Sequence, residues 1–109
     1  KLHFRVLDAE TITPDKGRFS VIVSSFAIQW FWEPINGIER LLDLLLPDGI
    51  ILFSLPGALS CPSWQKAAQQ AKLPYTRNPL PELESIRALL EFGPCEFELN
   101  SRFIEESFD

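Results

Sequence analysis

The period of the hydrophobic residues changes twice between Phe19 and Phe53, and that change limits the folds open to this chain more than any other feature. Phe19 to Ser24 contains Val21-Ile22-Val23, an apolar run with no polar residue inside it. Such a run fits a parallel strand covered on both faces, because a strand with one wet face alternates polar and apolar positions. From Pro34 the spacing lengthens. Ile38, Leu41, Leu42 and Leu45 fall at i, i+3, i+4 and i+7, with Glu39, Arg40 and Asp43 opposite, the pattern of a surface helix with one apolar stripe. Pro47-Asp48-Gly49 reads as the helix stop, and Ile50 to Phe53 is again apolar throughout, a second buried strand. Strand, helix and strand in this order predict a right-handed crossover between parallel strands.

The flanks extend the same reading. Leu2 to Leu7 predicts a strand that ends in the polar turn Asp8-Ala9-Glu10. After Pro56-Gly57, Trp64 to Lys72 is rich in helix formers but poor in large apolar residues, so a mostly exposed helix is expected there. Prolines 74, 79 and 81 separate it from a further predicted helix, Glu82 to Phe92, striped by Leu83, Ile86 and Leu90. Gly93-Pro94 ends that helix. Cys95, Phe97 and Leu99 then alternate with Glu96, Glu98 and Asn100, the signature of a strand with one wet face, which Arg102 to Phe108 extends or pairs back upon. Residues 1–109 thus read as a single α/β unit with a mostly parallel sheet.

Composition narrows the function. At 46% hydrophobic and 12% aromatic residues the chain is globular in character. Its longest apolar runs fall far short of the roughly 20 residues of a membrane helix. No export signal opens it, so a cytoplasmic protein without a membrane partner is expected. The net charge of −5 argues against non-specific nucleic-acid binding. That charge is uneven: Leu55 to Pro81 holds no Asp or Glu, yet it carries Lys66, Lys72 and Arg77. A basic stretch of this kind suits an acidic partner by electrostatic steering, and it equally suits a solvated helix face. Cys61 and Cys95 lie far apart, outside any metal or redox spacing, and read as packing thiols; no metal site is expected. The chain opens at Lys1, contains no Met and stops at Asp109, which reads as a segment of a longer protein.

In open α/β sheets ligands bind beyond the carboxyl ends of the strands. Here those positions are Asp8-Ala9-Glu10, Ser24 to Trp30, and Ser54 to Gly57. Asp8 is an acceptor-only group fit for an exocyclic amine or a ribose hydroxyl, and it is equally a residue that caps its own turn. Ser24 and Ser25 have no base in reach of the kind a nucleophile needs, so their value is to let a ligand approach the backbone. Gln29-Trp30-Phe31-Trp32 is either a wall around a ligand or the apolar lid of the sheet, and composition favours the lid. The five glycines stand at 17, 37, 49, 57 and 93, so no GxG exists to cradle a phosphate or a methionine.

These segments resemble class I S-adenosylmethionine-dependent methyltransferases. Asp8-Ala9 is similar to the Asp-Ala pair after that family's third strand. RFSVIVSSFAIQW, from Arg18 to Trp30, resembles FDLVVSN-x-ALQW across the fourth, and LLLPDGIILFS, from Leu44 to Ser54, resembles LRPGG-x-LLFST leading into the fifth. The Gln29-Trp30 ending is similar to the group that methylates malonyl-acyl-carrier protein in biotin synthesis, and less closely to trans-aconitate methyltransferases. TRNPLPELESIRALL and the closing FIEESFD resemble the biotin-pathway group as well. The sequence departs from the family wording at Ser25, where Asn is usual, at Asp48, where Gly is usual, and at Arg77-Asn78, where the order is commonly reversed.

The resemblance implies a partial Rossmann-like class I methyltransferase fold that lacks its first two strands and its last. It implies S-adenosylmethionine as cofactor, with Asp8 accepting from the adenine amino group and Ala9 offering its amide to the ring. Ser24 and Ser25 would flank the methionine moiety, and Gln29 and Trp30 would line the methyl-acceptor side. The implied reaction is methyl transfer to a free carboxylate of a malonyl-type acyl-carrier-protein thioester, with neither a metal nor a catalytic acid or base. The competing readings are a small-carboxylate enzyme of the trans-aconitate type and a non-catalytic α/β interaction module. With no glycine loop or ribose-binding acid among them, these residues alone are expected to bind the cofactor weakly or not at all.

Overall fold

A parallel pair needs a crossover to bring its second strand alongside the first, and the residues after Phe19 supply one. In the computed structural model, β1 (Phe19–Ser25) and β2 (Leu45–Ser54) lie side by side in a two-stranded parallel sheet, joined through helix α1 (Pro34–Asp43). The structure describes residues 1–14, 18–58, 60–73, 80–93 and 96–102. Helices α2 (Pro62–Gln70) and α3 (Leu83–Phe92) follow. The α/β class with a parallel sheet, as in part of a Rossmann-like fold, is therefore present.

Pro34 and Pro62 each open a helix, where the proline ring presets φ and its missing N–H would have had no partner. Helix α1 ends earlier than its apolar stripe predicts. The Leu44 N–H bonds to the carbonyls of Leu41 and Leu42, and Leu45 begins β2 instead of continuing the helix. Pairing with β1 decides this: Phe19 N–H donates to Leu44 O at 2.8 Å and Phe19 lies opposite Leu45. Pro47-Asp48-Gly49 is accordingly not a helix stop but an excursion inside β2. Phe19 pairs with Leu45 and Val21 with Ile50, so β2 advances farther than β1 between the two pairs. Asp48 adopts a left-handed φ of 63° there, a conformation that short polar side chains tolerate. A Cβ on Gly49 would sit 2.8 Å from Leu46 O, so only glycine fits without a shift.

One face of the sheet is covered. Ile22, Ile51 and Phe53 pack against a core of Ile28, Ile38, Leu41, Leu44, Ile86 and Leu90, which come from the segment after β1, from α1 and its cap, and from α3. The other face is bare among the described residues: Val21, Val23, Ile50 and Leu52 are all exposed, Val23 at 68% and Leu52 at 61%. Cover on both faces was expected from the unbroken apolar runs. Side chains alternate across a strand, and the helices described here reach only one side.

Other expectations fail at the flanks. Leu2 to Leu7 is not a strand; Leu2, Phe4 and Val6 are exposed, because no described strand lies beside them and a strand exists only by pairing. Residues 96–102 carry no strand either, while Cys95 and 103–109 lie outside the described residues. Leu99 nevertheless packs on the core. Helix α2 buries no residue, as its composition predicts. Cys61, read as a packing thiol, is exposed.

Candidate functional site

The turn after residue 7 is built by its own first residue. Asp8 Oδ1 accepts from Glu10 N–H at 2.9 Å, and Asp8 O accepts from the N–H groups of Thr11 and Ile12, each at 3.1 Å. Asp8 thus caps its turn as Asp commonly does. Its Oδ2 and the Ala9 N–H make no hydrogen bond among the described residues.

Glu10 then ties this turn to the rest of the molecule. Its Oε2 accepts from Trp32 N–H at 3.1 Å, and the Arg40 guanidinium of α1 donates to its carbonyl oxygen. A cleft of about 400 Å³ opens there, lined by Glu10, Trp32, Glu33, Asn36, Gly37 and Arg40. Glu33 Oε2 accepts from Asn36 Nδ2 at 2.6 Å. Gly37 is required by its neighbour, because the Phe31 ring lies where a Cβ would stand. Sequence reasoning missed Glu10, Trp32 and Arg40 as a group. Their partners are far apart in the chain, and no local pattern marks them.

The strand ends form the second part of the site. Ser24 pairs in register with Phe53 and Ser25 with Ser54; Ser24 is half-buried and Ser25 exposed. Phe26 leaves the strand at a left-handed φ of 48°, with its N–H donating to Ser54 O at 2.9 Å. A 3₁₀ turn, Ile28–Trp30, follows. It separates the two residues expected to act together: Gln29 is buried and its Nε2 donates to Phe26 O at 2.7 Å, whereas Trp30 is 72% exposed. The aromatic segment is therefore divided between core and surface. Ile28 and Gln29 face the core, while Trp30 and Trp32 are exposed. No hydrogen bond among the described residues joins Asp8 or Ala9 to Ser24 or Ser25; the two parts meet through Glu10, Trp32 and α1.

Among the described residues no group of three or more His, Cys, Asp or Glu is gathered to hold a metal ion. None of their helices is long and apolar enough to cross a membrane.

No protein-family model matches the chain, and no solved structure matches it. Two curated proteins do. Over 90 residues, 83% of this chain, it is 28% identical to the malonyl-[acyl-carrier protein] O-methyltransferase of Magnetococcus marinus, of which that stretch is 33%. Over 47 residues, 43% of this chain, it is 43% identical to the malonyl-[acyl-carrier protein] O-methyltransferase of Porphyromonas gingivalis, of which that stretch is 18%. The match thus spans about a third of the first relative and under a fifth of the second. An α/β chain with a parallel strand pair and this partial similarity is a distant relative of proteins named as methyltransferases.

Proposed function

We propose that this chain forms part of an S-adenosylmethionine-dependent methyltransferase acting in the cytoplasm on a free carboxylate of a malonyl-type acyl-carrier-protein thioester. One observation carries the reading: similarity to a protein named for that reaction extends over 83% of the chain and is not confined to one motif. The local chemistry is compatible with the cofactor. Asp8 has a second carboxylate oxygen that its own turn does not use, and Ala9 follows it with a backbone N–H; an acceptor followed by a donor would complement an amino group next to a ring nitrogen. When bound, the cofactor supplies an electrophilic methyl group on a sulfonium. Ser24 and Ser25 are small enough to leave the strand end open to the methionine moiety, and the exposed Trp30 indole offers an apolar wall on the acceptor side.

A carboxylate acceptor is ionised at neutral pH, since free carboxyl groups titrate near pH 4 (about 3.9 to 4.3). The chain therefore needs no general base, and its task is to hold the acceptor in line and exclude water. Lys66 on α2 and Lys72 just after it are exposed, and their positive charge would steer an acidic carrier protein toward this side. Arg77, the third cation of that stretch, lies outside the described residues.

The test is methyl transfer from labelled cofactor by the full-length protein, offered malonyl-acyl-carrier protein or trans-aconitate at low and moderate salt. We expect transfer to the carrier-bound substrate; activity on trans-aconitate alone would reassign the acceptor. Asp8→Ala should weaken cofactor binding by about 1–3 kcal/mol, the cost of losing a hydrogen bond to a charged group. Asp8→Asn keeps an oxygen for the Glu10 N–H and should lose less. Equal binding by calorimetry in all three proteins would remove Asp8 from the site. Lys66→Glu with Lys72→Glu should slow association and flatten its salt dependence, as rim charges do.

A further inference from the structure

Phe26, Asp48, Cys61 and Lys72 are the described non-glycine residues with positive φ, and of these Phe26 alone follows directly on a strand end. Phenylalanine has no short polar side chain to bond its own backbone, the feature that lets Asn and Asp visit this region. Its conformation must therefore be held from outside. Both of its backbone polar groups are held: the N–H donates to Ser54 O at 2.9 Å, and the carbonyl accepts from Gln29 Nε2 at 2.7 Å.

The state of Gln29 shows which half of its carboxamide matters. Its relative exposure is 9%, and its Oε1 is buried with no hydrogen-bond partner. An orphaned buried acceptor is a net cost, which an apolar side chain of the same length would avoid. The carboxamide's return lies wholly on its donor side, at the Phe26 carbonyl. We infer that Gln29 is a positioning residue: its amide N–H clamps Phe26 in the left-handed turn and so fixes Ser24, Ser25 and Phe26 at the mouth of the sheet. Strained backbone of this kind gathers at ligand sites, where the surrounding structure over-determines it. The inference rests on the proposed methyl transfer for its activity readout, but not for its structural one.

The experiment uses the full-length protein with Gln29→Met, which keeps length and apolar burial but has no donor, and Gln29→Glu, which has no donor as a carboxylate. Amide exchange at position 26 should quicken by about tenfold in Gln29→Met, the scale of one hydrogen bond to a buried group. kcat should fall by a similar factor and the cofactor Kd should rise with it, because Ser24 and Ser25, which the clamp holds, are the residues proposed beside the methionine moiety. Adding Phe26→Gly should restore all three readouts, since glycine takes positive φ freely and no longer needs the clamp. A residue that served only to fill space would not be rescued in this way. Unchanged exchange at position 26 in both single variants overturns the inference, and so does a turn that relaxes with kcat unaltered. A wild-type protein with no methyl transfer would end the proposed reaction, and the exchange comparison would still decide the clamp.

Discussion

Asp48 shows how much one residue's backbone can explain. It stands where the methyltransferases that this sequence resembles commonly carry Gly, and its φ of 63° gives the reason, because the excursion inside β2 turns through the left-handed region. Aspartate tolerates that region and a β-branched residue does not. Asp48→Val should therefore lower stability by about 1–2 kcal/mol, the left-handed penalty. Asp48→Gly should stay neutral or gain up to about 1 kcal/mol, since relief of strain is offset by a freer unfolded chain. Denaturant midpoints compared at constant m measure both, and a tolerated valine would contradict the left-handed assignment. At this scale, what is local was legible. The capping by Asp8 spans two residues, and residue type offered it as one of two equal readings. The bonds from Glu10 to Trp32 and Arg40 span 22 and 30 residues, and no local pattern announces them. Composition favoured the apolar lid for the segment that holds Gln29, but it gave no reason for a polar side chain to enter it; that reason is a donor satisfied three residues back.

Among the elements, α1 is the best determined, since its stripe, its opening proline and its buried Ile38 and Leu41 agree. Its end was illegible for a physical reason. Leu44 and Leu45 fit the helical stripe and a buried strand equally well, and the bond from Phe19 N–H to Leu44 O settles the choice only in the folded sheet. The strand expected at residues 2–7 was misread because alternation reports a preference, whereas a strand requires a neighbour. Gly37 offers a test of how α1 is fastened. In an exposed helix Gly→Ala gains roughly 1 kcal/mol of helix propensity. Here the new Cβ would collide with the Phe31 ring, and overpacking costs about 1–3 kcal/mol. The steric term should win, so Gly37→Ala should lower the melting temperature; a rise would mean that Phe31 moves aside at little cost.

At the scale of the whole molecule the chain is open, and the bare sheet face is one part of that openness. The chain exposes 9357 Å² at 12.4 kDa, whereas a compact monomer of that mass exposes roughly 6,100 Å². Its radius of gyration is 16.5 Å, against roughly 13 Å expected for its length. Unbroken apolar runs marked β1 and β2 correctly as parallel strands, but the cover on a second face that they predict is not supplied by the described residues. With Val21, Val23, Ile50 and Leu52 exposed, residues 1–109 expressed alone should self-associate at micromolar concentration, as open apolar sheet surfaces do. Val23→Lys with Leu52→Lys should return them toward monomer in sedimentation, and a monomeric native sequence would refute the expectation. The same face imposes an order on biosynthesis. Because β1, α1 and β2 find one another over a short length of chain, this unit can close soon after Ser54 clears the ribosome, at a synthesis rate of roughly 5–20 residues per second. From that moment Val21, Val23, Ile50 and Leu52 form an exposed apolar surface of the kind that makes incompletely covered chains aggregation-prone.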